Sequence, residues 1–172
     1  MNVVNIIDFL ERFGLVLPVV VKDVSPDDAH WKPADGAWSV LEIVNHLADE
    51  EIEDFRARLK LTLENPGADW PPIDPPRWAL ERKYNEQDLQ RSVLRFVDER
   101  RKSVRWLRSL KGIDWSIARV HPKLSSIRAG DLLVSWAAHD ALHLRQIAKR
   151  MHQFIVSCGG AYSADYAGAW TS

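Results

Sequence analysis

This chain of 172 residues has a single cysteine, Cys158, which excludes an intrachain disulfide and a cysteine-based zinc site. A reducing cytoplasm is therefore the expected compartment. No uncharged run is long enough to cross a bilayer. The first residues lack a basic segment and a small-residue cleavage site, and they carry Asp8 and Glu11 among the apolar positions, so no secretory signal is expected. A bias of charge is missing too. With 23 basic and 24 acidic residues the formal net charge is −1, which argues against a dedicated nucleic-acid binder. No internal repeat, low-complexity run or convincing strand pattern stands out. What is present is a globular composition, 46% hydrophobic and 27% charged, sufficient for one domain over residues 1–172 with a proper core. Tryptophan is abundant, with eight residues, most of them expected to anchor core and helix packing.

Helical spacing dominates the apolar pattern. Val3, Ile6, Ile7, Leu10, Phe13, Leu17, Val20 and Val21 predict a first helix, with Pro18 kinking or ending it near residue 17. Ser25 and Pro26 start a short helical turn. Ser39 with Glu42 three residues later forms a capping box for a second long helix, which Asn65-Pro66-Gly67 ends. Residues 66–78 are rich in proline and tryptophan and read as an ordered loop or crossover. Asn85, with Asp88 three residues on, predicts the cap of a third long helix that runs to Lys111 and stops at Gly112. Residues 113–129 form a connection, and a last helix runs from about Gly130 to Met151. In the tail, Tyr162, Tyr166 and Trp170 recur every four residues, either docking as one stripe or staying loose. Four long helices make an all-α four-helix bundle.

Charge is distributed unevenly. Asp49, Glu50, Glu51, Glu53 and Asp54 cluster on the second helix, and Arg91, Arg95, Arg100, Arg101, Lys102, Arg105 and Arg108 on the third. The plain expectation is two solvated faces. A charge-matched homodimer contact is the alternative.

Three histidines carry the chemistry. His139 and His143 form an H-x-x-x-H, which places two imidazoles on one helical face, one turn apart. Ala137, Ala138, Ala141 and Leu142 around them suggest an inward face. His46 sits two turns into its helix among Val44, Leu47 and Ala48, a setting shared by many core histidines. Together the three could form a His₃ site with open positions, which is a catalytic pattern more than a structural one. Each ligating imidazole needs a partner for its other nitrogen. Glu50, Gln146 and Asp140 lie at spacings that reach His46 or His143. Trp136 either walls the pocket or is plain core. His121 is either an ordinary loop histidine or approaches the site. His30 and His152 read as surface residues and Cys158 as inert. The protease motif H-E-x-x-H is absent, and Glu50 is the first candidate for a general base.

The segments Trp38-Ser39-Val-Leu-Glu-Ile-Val-Asn-His46-Leu and His139-Asp140-Ala-Leu-His143-Leu-Arg-Gln146-Ile147 resemble the two hallmark motifs of the DinB-like (YfiT-like) metalloenzyme superfamily. The Trp31…Pro33 lead-in and the His121-Pro122 pair are similar to one branch of it. The resemblance covers nearly the whole chain. It implies an up-down-down-up bundle with a long Pro-rich crossover, and a divalent metal held by His46, His139 and His143. An all-imidazole set suits zinc, nickel, iron or copper. The resemblance also implies a metal-dependent enzyme acting on a small molecule. One version is a thiol-dependent transferase using a low-molecular-weight thiol such as bacillithiol or mycothiol, with Arg145 and Arg77 as possible anchors. Another is a hydrolase using the same open site. A non-catalytic metal-binding stress-response protein is the competing expectation.

Overall fold

The computed structural model describes residues 1–121 and 125–170. Helix α1 spans Val3–Val20 and buries Ile7, Leu10, Phe13, Gly14 and Leu17. Pro18 stands so near its end that the helix continues through it to Val20, past the expected break. A short α2, Pro26–His30, follows the Ser25 cap. Helix α3, Val40–Asp49, starts at the expected capping box: Ser39 Oγ accepts from the Glu42 amide, and Glu42 Oε2 accepts from the Ser39 amide. Such a cap stabilises a helix by about 1 kcal/mol.

The second helical stretch is not regular. A π-helical turn, Glu50–Asp54, separates α3 from α4, Phe55–Glu64. An extra residue in a turn rotates the side chains after it. Nothing in the apolar pattern marks such a turn. The proline-rich segment is a loop only to Asp74, whose side chain caps α5, Pro75–Glu81. Proline suits a first helical turn because its missing N–H has no partner there. Helix α6, Leu89–Ser109, is capped by Asp88, not by the expected Asn85. Asn85 lies in a 3₁₀ turn, Tyr84–Glu86, where it accepts from the Ser39 hydroxyl and donates to the His30 carbonyl.

The 113–129 connection contains an antiparallel hairpin that the sequence pattern did not reveal. Strand β1, Ala118–His121, pairs with β2, Ser125–Arg128, with Ala118 opposite Arg128 and His121 opposite Ser125. Four-residue strands that are mostly exposed show no apolar alternation, so periodicity misses them. Pro122 of the His121-Pro122 pair lies outside the described residues, as do Lys123 and Leu124. Helix α7 runs over Ala129–Cys158, longer at its C-terminal end than the spacing suggested. All three tail aromatics are exposed, Trp170 least, with its ring 5.4 Å from that of His152. No helix among the described residues is long and apolar enough to cross a membrane.

Helix α1 packs on α6 and α7, and α3 packs on the same two. The core divides into two apolar clusters. One gathers Ile7, Leu10, Phe55, Leu59, Val104, Leu107, Leu133 and Trp136. The other gathers Phe13, Leu17, Val40, Ile43, Val44, Leu47, Phe96 and Ile147. Burying each such side chain contributes roughly 1.5–3 kcal/mol. Polar residues occupy the level between the clusters: the π turn after α3, Arg100 midway along α6, and Asp140 midway along α7. The site lies in this belt. Tryptophans flank the core much as expected. Trp136 is inside, and Trp38, Trp70, Trp106 and Trp115 lean on it.

Candidate metal centre

The capping box sets where α3 begins, and so places His46 two turns in, on a helix whose ten residues are all buried. The α-helical turn of α7 brings His139 and His143 to the same side. His46 Nε2 lies 3.1 Å from His143 Nε2, which lies 3.0 Å from His139 Nε2. Three nitrogens from two helices thus converge within 4.8 Å of one another. Two zinc–nitrogen bonds of about 2.05 Å at a tetrahedral angle separate their nitrogens by roughly 3.3 Å. The His46–His143 and His143–His139 spacings are close to that, and the third pair lies within 4.8 Å.

Protonation supports the same use. Burial lowers the His46 pKa from 6.5 to about 2, with His143 and His139 adding to the effect. Burial, then His143 and Arg100, lowers His139 to about 3. Burial lowers His143 as well, partly offset by its bond to Gln146. The rings are therefore neutral, the form that binds metals. Gln146 Oε1 stands 2.8 Å from His143 Nδ1. As a carbonyl-type acceptor it accepts a hydrogen bond from Nδ1–H, which leaves His143 Nε2 with a bare lone pair. Two other Nε2 atoms face that lone pair, and it can accept from only one of them. On the far side of His46, Nδ1 and Glu50 Oε1 are both buried and without a hydrogen bond, 3.6 Å apart. A cation on the shared Nε2 side would satisfy all three lone pairs together, with Nδ1–H of His46 directed toward Glu50. The donor set therefore fits a divalent transition metal.

The structure distributes the remaining sequence candidates unevenly. Gln146 touches His143, and Glu50 faces His46 Nδ1, away from the converging nitrogens. Burial, then the hydrogen bond and charge of Asp54, raise the Glu50 pKa from 4.5 to about 9, so its carboxyl holds a proton. Asp140 does not face a histidine. Both of its oxygens bind Arg100, at 2.5 and 2.8 Å. Trp136 reaches the site indirectly. It stacks on Phe55 at 5.6 Å, and Phe55 packs edge-on to His139 at 5.1 Å. His121 lies on the hairpin against Trp70, 5.8 Å between ring centroids, outside the histidine cluster. Arg77 pairs with Glu81 on the surface at 2.7 Å, and Arg145 is exposed.

The expectation of a solvated acidic face is overturned. Asp49, Glu50, Glu51 and Asp54 are buried, and their partners come from the same chain. Asp49 accepts from Arg82, Arg95 and the Tyr84 hydroxyl. Glu51 accepts from Arg100 and Trp136. Asp54 pairs with Arg58 at 2.8 Å. Two of these acids meet α6: Asp49 through Arg95 and Glu51 through Arg100. Sequence reasoning also missed Trp38, whose ring lies 4.8 Å from that of His46, and Phe55 as the wall beside His139.

Comparison with known proteins gives a consistent result. The family described as the DinB superfamily matches residues 10–147, a span that contains all three histidines. The protein named "Putative metal-dependent hydrolase OB0782", from Oceanobacillus iheyensis, is 30% identical over 143 residues, covering 82% of this chain and 81% of its own. "Putative metal-dependent hydrolase YfiT" from Bacillus subtilis is 25% identical over 150 residues, covering 84% and 83%. A solved structure is described as "YfiT from Bacillus subtilis is a probable metal-dependent hydrolase with an unusual four-helix bundle topology". It superposes with a TM-score of 0.79 at 21% identity, over 89% of this chain and 87% of that one, a likeness of fold.

Proposed function

This chain belongs to the DinB superfamily, and from that premise we propose that it is a divalent-metal-dependent hydrolase whose metal is held by His46, His139 and His143. The observation that carries the proposal is the convergence of three neutral imidazoles on one point, with a lone pair left over and His46 Nδ1 unmet. A divalent ion at that point supplies Lewis acidity, polarising a substrate oxygen and lowering the pKa of a bound water or thiol.

The chain's own residues do the rest. Gln146 keeps the His143 proton on Nδ1, and Glu50, 3.6 Å behind His46, is placed to accept from its Nδ1–H once Nε2 holds a metal. Glu50 stands on the wrong side of His46 to act as base toward a substrate. Trp38 and Phe55 wall the site with apolar surface and restrict water. His139 and His143 are half-exposed, so a small-molecule substrate arrives on the α7 side.

The names of the relatives favour hydrolysis over thiol transfer. Both chemistries would use the same open position. Cobalt(II)-loaded protein distinguishes them: a spectral shift on adding a small thiol, with thiol-dependent turnover, would move the assignment to a transferase. The proposal also includes the up-down-down-up helix order with a crossover through the proline-rich residues 66–78, a cytoplasmic setting, and a homodimer, which light scattering would test. Elemental analysis of untagged protein is the direct test of the centre. Stoichiometric metal in the wild type and its loss in His46→Ala and His143→Ala are expected. Full retention in both variants would refute the centre.

A further inference from the structure

We propose that Arg100 is a positioning residue for this metal centre, a guanidinium that ties the π turn after His46 to the turn of α7 that carries His139. The inference rests on the metal-centre reading above. Every nitrogen of Arg100 has an acceptor. Nη1 and Nη2 donate to the two oxygens of Asp140 at 2.5 and 2.8 Å, Nε donates to Glu51 Oε1 at 2.8 Å, and Nη1 also donates to the Leu10 carbonyl of α1 at 2.9 Å. Asp140 directly follows His139 along α7. Glu51 directly follows Glu50, which stands behind His46. One planar fork therefore sets the spacing between the two ligand-bearing segments.

A second route runs through aromatic rings. The Glu51 oxygen held by Arg100 also accepts from Trp136 Nε1 at 2.8 Å. Trp136 lies parallel to Phe55, at an interplanar angle of 9°, and Phe55 packs edge-on to His139. The chain makes room for this device. Gly14 of α1 faces the Arg100 stem, and a Cβ there would lie 3.0 Å from Arg100 Cγ. Buried ion pairs are poor sources of net stability, because apolar residues of the same volume do as well or better. A geometric role accounts for keeping a charged fork, with its two carboxylates, in the core. Lysine keeps the charge but cannot span the two carboxylates.

The test uses the full chain titrated with cobalt(II), reading its dissociation constant and d–d absorption bands. Arg100→Lys is expected to bind cobalt about 10–100-fold more weakly, with shifted bands. Arg108→Lys is the control. It disturbs the surface pairs with Asp8 and Glu11, which hold no ligand turn, and is expected to leave both readouts unchanged. A folded Arg100→Lys protein with wild-type affinity and bands would overturn the assignment, as would an equal loss in the control. Should Arg100→Lys fail to fold, Gly14→Ala decides alone. It favours the helix by up to roughly 1 kcal/mol and reaches the histidines only by pushing Arg100. Shifted bands support the assignment, and wild-type bands overturn it. A wild-type chain that binds no cobalt would instead refute the metal centre, and the positioning role with it.

Discussion

The polar belt has two sides, and they differ in how complete they are. On the arginine side each nitrogen of Arg100 has a carboxylate or carbonyl acceptor, all within the chain. Burial opposes the Arg100 charge, but Glu51 and Asp140 outweigh it and raise its pKa. On the histidine side three Nε2 atoms face one another with too few protons between them, and His46 Nδ1 has no partner. Both sides lie between the same two apolar clusters, the arginine side fully buried and the histidine side half-buried at His139 and His143. A finished network needs nothing further, and an unfinished one that solvent can reach is a binding site. Burial of polar groups alone therefore does not mark function. The unmet valence does.

Breaking the finished side should have the largest effect. Arg100→Met leaves Glu51 and Asp140 buried without their cation, and urea denaturation should show a loss of about 3–5 kcal/mol. A loss under 1 kcal/mol would mean that the arginine side is not a closed unit. On the unfinished side, His143→Ala should cost little stability without metal but weaken metal binding by more than the roughly 100-fold typical of outer partners, measured by competition with a chromophoric chelator. Gln146→Ala should fall within about 10–100-fold, since it frees the His143 tautomer and keeps the ligand.

Glu50 connects the two sides, and pH can isolate it. Its pKa is 4.5 in the unfolded chain and about 9 in the fold. Between those values the native state holds a proton that the unfolded state has released. Its contribution to stability is therefore complete below pH 4.5 and lost as pH rises toward 9. His46 and His139 act in the opposite sense, losing stability as pH falls below 6.5. Glu50→Gln removes only the first effect. Its stability advantage over wild type, without metal, should grow from pH 5 to pH 8 in urea titrations. A constant gap would show that the carboxyl is ionised throughout. The smallest effect belongs to the surface. Arg108 bridges Asp8 and Glu11 in water, and Arg108→Ala should leave the urea midpoint unchanged.

Much of the bundle was legible along the chain because its signals are local. Ser39 with Glu42 marks a helix start that needs no tertiary partner, and the apolar stripes of α1 and α6 keep the helical period. The histidine pair is legible for the same reason, since a four-residue spacing puts two rings on one face. The finished side left a fainter mark that spacing alone did not decode. Gly14, Arg100 and Asp140 each fall at a buried position within an apolar stripe, on three different helices. Taken singly, each reads as an interruption or a surface residue. Only their meeting explains them. The burial of Asp49 and Glu51 was hidden because it depends on partners distant in sequence, Arg95 and Arg100, whereas the hairpin is local and was hidden because its short, exposed strands carry no alternation.

Residue spacing by itself determined that this protein is a helical bundle, that α3 begins after Ser39, and that His139 and His143 share a face, because caps and periodicity act within a few residues. Tertiary structure alone decided that His46 meets them, that its Nε2 and not its Nδ1 points inward, and that the acids of residues 49–54 are enclosed. Those outcomes depend on how α3, α6 and α7 pack, and on which buried polar groups then find partners.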